Sequence, residues 1–355
     1  MSILLRKILI LPFLCVFTMG AVSSGMSGRA IDKYIQKKLK RNDKVLRINE
    51  KNLGDSGMSV LAHSPQISTV RTLILYKVQI SDEGVRALAE SPHLKNLEAL
   101  YLEHNFITDK GAEIISNSRT FSNLKILNLY HNQITDAGAI AIANSDVLTQ
   151  LTELNLNYNY IKGPGAVELT HSKKLPDLHN IQLAYNPIEK NGKEAWKRFQ
   201  LMEGFKELYR KKRLEQVGEG LIGDFGVLVL LDFPFVSELK TLDLKDNDLT
   251  DEAVIALSQS KSLESLTVLD LSKNNITDAG AKALASSQYL KNLKRLNLNF
   301  NRIGDDGAKA IAESSRFANL ESLKLGQNKI GSDGARVLNE SENLKNLLHP
   351  IFGFY

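Results

Sequence analysis

A period of 27 residues restricts the fold of this chain more than any other feature. Leu46, Leu73, Leu100, Leu127, Leu154 and Ile181 follow one another in steps of 27, and Leu242, Leu269, Leu296 and Leu323 repeat the step. The 61 residues between Ile181 and Leu242 hold one degenerate unit and seven extra positions, so about 11 repeats fill the chain. Such a period marks a stack of small units, because no unit of that length can bury its own leucines and each must lie against its neighbours. The phrase Leu97-Glu-Ala-Leu100-Tyr-Leu102 alternates with period two, as a short strand with one buried face does. Asn105, Asn132, Asn159, Asn186, Asn247, Asn274, Asn301 and Asn328 stand at the strand ends, where a side-chain amide can bond the backbone of a tight turn. Thr108-Asp109, Thr135-Asp136 and Thr277-Asp278 read as helix starts, a hydroxyl cap followed by a first-turn carboxylate. Gly111, Gly138, Gly280 and Gly307, followed by alanine-rich turns, suit helices packed tightly on a sheet. The unit is therefore strand, turn and helix, an α/β class.

On these residues the chain resembles the leucine-rich repeat family over about Val45–Leu347. The pattern Asn-x-Ile-x-Asp-x-Gly-Ala is similar to the ribonuclease-inhibitor-like subclass and to bacterial repeats of Gly-Ala-Leu-Ala type. The resemblance implies a curved solenoid, a horseshoe with parallel strands on the concave face and helices on the convex face. It departs from the animal ribonuclease inhibitor in its shorter unit and its lack of that protein's cysteines. Lys51 and Val78 replace the ladder asparagine in the first two repeats, as suits units near a terminal cap.

Flanking segments complete the organisation. Arg6 and Lys7, the apolar run Ile8–Phe17 and the small residues Ala21 and Ser23 predict a cleavable export signal over 1–23, hence a secreted or periplasmic protein. An uncleaved membrane anchor is the second reading; the run is shorter than the roughly 20 residues that span a bilayer. Residues 24–44 read as an N-terminal helical cap, 45–188 as repeats 1–6, 214–347 as repeats 7–11, and 348–355 as a C-terminal cap. Residues 189–213 read as a basic amphipathic helical insertion. It carries nine basic and four acidic side chains, and Trp196, Phe199, Met202, Phe205 and Leu208 recur every three residues. The run Val227–Leu231 would leave an apolar patch on the outer helix of repeat seven, so the insertion is expected to fold back and cover it. Its other use would be contact with an acidic membrane surface or partner.

Chemistry is scarce. Cys15 is the single cysteine and lies in the export segment, and the chain has no phosphate-binding loop, zinc-protease motif or nucleophile elbow. His104 and His131 stand one period apart near Glu103, a weak metal constellation better read as two exposed imidazoles. The expectation is no enzyme, no cofactor and no metal. The net charge of +5 falls to +3 without the signal, too small to indicate nucleic-acid binding. What remains is a binding surface. Tyr76, Tyr101, His104, Tyr130, His131, Tyr158 and Tyr185, with Phe300 in the second half, are the candidate partner-binding residues, since tyrosine gives large contact area at low entropic cost. The competing reading is that the rings only stack to stabilise the ladder. The expected function is a monomeric, exported, non-enzymatic protein that binds another protein on its concave face. The alternative is a host-directed effector, regulating a small GTPase as the similar repeats of the Ran GTPase-activating protein do, or acting in ubiquitin transfer.

Overall fold

The computed structural model describes residues 28–349 and 351–352. The expected export segment with Cys15, Pro350 and residues 353–355 of the expected C-terminal cap lie outside them. The chain forms two compact units, dividing near residues 161–188.

The first unit begins with α1 (Gly28–Leu39), which buries Ile31 and Ile35, one helical turn apart, and leaves its lysines in solvent. Then come β1 (Val45–Asn49), α2 (Gly54–His63), β2 (Thr72–Tyr76), α3 (Asp82–Ala89), β3 (Ala99–Tyr101), α4 (Asp109–Asn117), β4 (Ile126–Asn128), α5 (Asp136–Ala143), β5 (Glu153–Asn155) and β6 (Asn180–Gln182). The six strands form one parallel sheet in sequence order. The register makes the period physical: Leu46 pairs with Leu73, Leu73 with Leu100, Leu100 with Leu127, Leu127 with Leu154 and Leu154 with Ile181. All six are buried, each burial being worth about 1.5–3 kcal/mol.

The second unit contains α6 (Gly163–His171), α7 (Lys190–Arg210), α8 (Gly223–Leu231), β7 (Thr241–Asp243), α9 (Asp251–Gln259), β8 (Val268–Asp270), α10 (Asp278–Ser286), β9 (Arg295–Asn297), α11 (Asp305–Glu313), β10 (Ser322–Lys324) and α12 (Ser332–Asn339). Strands β7–β10 form a four-stranded parallel sheet. At its far end Ile351 is buried and its carbonyl accepts from Leu325 N at 3.0 Å, closing the last strand's open edge.

The degenerate repeat departs from the expected outline. Residues 214–220 form a 3-10 turn where a strand would stand. Glu215 and Gly220, one period before Leu242 and Asn247, supply neither the inward leucine nor the ladder amide. Gly218 lets this turn lie against β7, since a Cβ there would collide with the Asp243 carbonyl. The basic segment is an extension rather than a separate inserted helix. Gly192 stands three periods after Gly111, so α7 is the outer helix of repeat six, continued to Arg210. Its added turns pack beside α8: Phe205 meets Phe233 edge-on at 6.1 Å, Tyr209 stacks on Phe235 at 3.9 Å, and Lys197 lies over the Phe225 ring. The anticipated patch is also smaller than the sequence suggested. Val227, Val229 and Leu230 turn inward and are buried, while Leu228 stays 37% exposed. The basic face is interrupted as well: Arg198 pairs with Asp232, Lys206 with Glu203, and Arg210 and Lys211 with Glu207. Among the described residues no helix is long and apolar enough to cross a membrane.

Two polar devices join consecutive repeats. Asn132 Oδ1 accepts from Ile107 N at 3.1 Å, while its Nδ2 donates to Leu102 O at 3.0 Å and Leu129 O at 3.1 Å. The same pattern recurs at Asn105, Asn159, Asn274 and Asn301. The aspartates do something the sequence did not suggest. Asp109 reaches the start of the next helix, accepting from Thr135 N (2.7 Å), Thr135 Oγ1 (2.6 Å) and Gly138 N (2.9 Å). The threonine caps its own helix, Thr135 Oγ1 accepting from Ala137 N. The carboxylate thus sits at the positive end of the following helix and ties two units together.

Candidate binding face of the first unit

Each ladder asparagine is preceded by a residue whose backbone turns left-handed: φ is 54° at His104, 54° at His131, 55° at Tyr158 and 60° at Tyr185. Non-glycine residues adopt this conformation at a cost of about 1 kcal/mol or more. The chain sustains it because the sheet's hydrogen bonding runs on through these residues. His104 N donates to Tyr130 O, His131 N to Asn157 O and Tyr158 N to Ala184 O, at 2.9, 2.9 and 3.0 Å. The turn sets these four side chains in one column along the sheet edge. Tyr76, Glu103 and Tyr130, one residue earlier in their repeats, form a second column beside it.

The two columns interlock as one aromatic ladder. The His104 ring lies 5.2 Å from both Tyr76 and Tyr130 and stacks on His131 at 4.4 Å. Tyr130 lies 5.1 Å from Tyr158, and Tyr158 stacks on Tyr185 at 4.1 Å, nearly parallel. Six of the eight candidate residues are therefore brought together: Tyr76, His104, Tyr130, His131, Tyr158 and Tyr185. The rings stabilise one another, each such pair adding about 0.5–1.5 kcal/mol. They also stay accessible at one end, with Tyr158 38% and Tyr185 71% exposed. Tyr101 is not part of the ladder. It is the last residue of β3 and stands in a third column with Asn128 and Asn155. Phe300 belongs to the second unit, at the equivalent left-handed position with φ 58°, and is exposed. Sequence reasoning missed Phe106 and Tyr160. They follow ladder asparagines two periods apart and are both more than half exposed, a spacing that could have marked them.

The polar groups among the rings are perturbed. Burial pushes the Glu103 carboxyl up, against the pull of Arg47's charge and a 2.7 Å hydrogen bond from Asn128 Nδ2. Burial lowers the His104 imidazole, helped by the neighbouring His131 and Lys77. Desolvation and then the charges of Glu153 and Glu103 raise Tyr101. The stacked imidazoles of His104 and His131 turn ring faces, rather than nitrogen lone pairs, toward each other. Among the described residues no three His, Cys, Asp or Glu side chains converge as metal ligands. The Asp-x-Gly carboxylates are occupied in the bonds between repeats.

Strand, left-handed turn, buried asparagine and outer helix, repeated in register, define a solenoid of leucine-rich repeats. Sequence comparison agrees. The family described as "Leucine Rich repeats (2 copies)" matches residues 122–164 and 264–308, and "Leucine Rich repeat" matches 93–116, 238–258 and 318–338. The chain is a leucine-rich repeat protein. Curated protein sequences yield no match. Solved structures that it resembles include one from the yeast Rad7–Elc1 complex, at 18% identity over 93% of this chain and 88% of that one, with a TM-score of 0.35. An internalin, InlF of Listeria monocytogenes, is 20% identical over 90% and 92% of the two chains, with a TM-score of 0.24. The Arabidopsis receptor kinase HAESA, solved with a peptide hormone and a co-receptor, is 17% identical over 81% of this chain and 42% of its own, with a TM-score of 0.28. At such identities nothing of their partners transfers to this chain.

Proposed function

We propose that this chain is an exported, non-enzymatic binding protein that holds another protein on the strand face of its first unit. The observation that carries the reading is the aromatic ladder, whose rings are fixed by stacking yet open to solvent at Tyr158 and Tyr185. Rigid, part-exposed aromatic side chains lose little entropy on binding and dominate the energetics of protein interfaces. Phe106 and Tyr160, each next in sequence to a ladder asparagine of the same unit, are further exposed aromatic rings. Export rests on Arg6, Lys7 and the apolar run that follows them.

The test is affinity capture by the full chain, with partners identified by mass spectrometry. The double variant Tyr158→Ala/Tyr185→Ala should lose the captured partner while melting within a few degrees of the parent. Full-strength capture by this variant would place the interface elsewhere. Sequencing the N-terminus of the exported protein checks the signal: the mature chain should begin at Ser24 or close after it, and a chain that still begins at Met1 would show that the segment is retained.

A further inference from the structure

Glu103 is out of keeping with its surroundings. Its column along the first unit reads Asn49, Tyr76, Glu103, Tyr130, Asn157 and Ala184, so one carboxylate is set between two tyrosines. The strands place them in register: Lys77 N bonds Glu103 O, and His104 N bonds Tyr130 O. Neighbouring side chains in such a parallel sheet stand about 5 Å apart. The His104 ring, 5.2 Å from both tyrosine rings, walls one side. Glu103 is half-buried, and Oε1 accepts from Asn128 Nδ2 at 2.7 Å. Among the described residues Glu103 takes part in no ion pair, and Oε2 accepts no hydrogen bond. A half-buried carboxylate with no cation in direct contact is only partly compensated by Arg47's more distant charge, and a ligand ammonium would complete it. Arg47 and Lys77 lie near enough to bias the local field, and Glu50 and Glu153 carry the opposite charge on the same face.

We propose that Glu103, between Tyr76 and Tyr130, is a subsite for a lysine side chain of the bound protein, the ammonium meeting Oε2 and the methylene stem lying along the rings. This assignment rests on the strand-face reading above and adds the chemistry of one contact. An aromatic surround favours a cation, and a long aliphatic stem is accommodated by ring surface. Lysine is chosen over arginine because Asn128 already takes one acceptor site of Oε1 and fixes the carboxylate's orientation, so a fork would compete with that bond. A guanidinium fork needs both carboxylate oxygens for its paired bonds, whereas an ammonium is a point donor satisfied by one.

The probe is the peptide acetyl-Gly-Lys-Gly-amide, with norleucine and arginine counterparts, titrated at pH 7.5 into the full chain carrying 13C-labelled tyrosine. Tyr76→Phe and Tyr130→Phe variants assign the two ring resonances. The lysine peptide should shift both resonances saturably and bind at least tenfold more tightly than the norleucine peptide and more tightly than the arginine peptide. Glu103→Gln keeps the Asn128 bond and the side-chain shape, and should weaken lysine binding at least tenfold. Absence of a saturable shift, equal binding of norleucine, tighter binding of arginine, or an unaffected Glu103→Gln variant would each overturn the assignment. The two proposals fail separately. A silent lysine peptide alongside lost capture by Tyr158→Ala/Tyr185→Ala removes the subsite and leaves the strand-face reading standing.

Discussion

Substituting Asn132 tests how the repeats are joined. Its side chain is buried and serves backbone groups of two repeats, chiefly Ile107 N at 3.1 Å, Leu102 O at 3.0 Å and Leu129 O at 3.1 Å. Asn132→Ala orphans a buried N–H and strips a donor from two carbonyls. At about 1–3 kcal/mol for an unsatisfied buried donor, with smaller losses at the carbonyls, the cost is about 3–5 kcal/mol. That is a large share of the roughly 5–15 kcal/mol that holds a typical domain folded. Asn132→Asp separates hydrogen bonding from shape. It keeps the acceptor for Ile107 N but turns a second, charged oxygen toward the Leu102 and Leu129 carbonyls. At pH 7 it should be less stable than the alanine variant. The buried acid's folded pKa would lie above its unfolded value, so its penalty applies above that folded value and shrinks as pH falls through it. Hydrogen exchange across residues 102–135, together with urea unfolding, measures both variants, since repeat proteins lose stability locally. An Asn132→Asp protein as stable as the parent, or more stable than Asn132→Ala at pH 7, would refute the bonding scheme.

Three further outcomes are expected. A Cβ at Gly138 would sit 2.6 Å from Asp109 Oδ1 and 2.8 Å from Ile134 Cγ2, so Gly138→Ala should cost about 1–3 kcal/mol despite alanine's better helix propensity; an unchanged or raised melting temperature would contradict this. The lowered His104 imidazole means the unfolded chain binds more protons than the folded one between the folded value and the ordinary histidine value. Stability is therefore lost as pH falls through that window, His104→Gln should flatten the decline, and an NMR titration midpoint at or above about 6.5 would refute the burial argument. Phe205→Ala removes a buried ring packed on Phe233 and should cost about 3–5 kcal/mol, with amide exchange in the last turns of α7 rising; unaltered exchange there would show that the helix extension does not depend on this contact.

The repeat was legible because each unit must present the same inward leucines to its neighbours, and a 27-residue step is the register of the parallel sheet written along the chain. The ladder asparagines were equally visible, since a buried turn needs an amide there. The aspartates were legible only as helix-start residues. That Asp109 serves Thr135 and Gly138 of the next repeat depends on the lateral offset between helices, which appears nowhere in one repeat's sequence. The candidate residues show the same division. Period and residue type picked out the tyrosines and histidines as one stripe. The left-handed turn before each asparagine sorted them into columns, joining His104 to Tyr76 and Tyr130 and leaving Tyr101 and Phe300 outside. The basic segment 189–213 looked inserted because its composition changes abruptly, yet Gly192 holds the repeat's phase and α7 simply continues. Spacing along the chain fixed which residues recur on the same face. Which of them touch was decided by backbone conformation and helix packing, because contacts across 25 to 29 residues depend on how neighbouring units settle against each other.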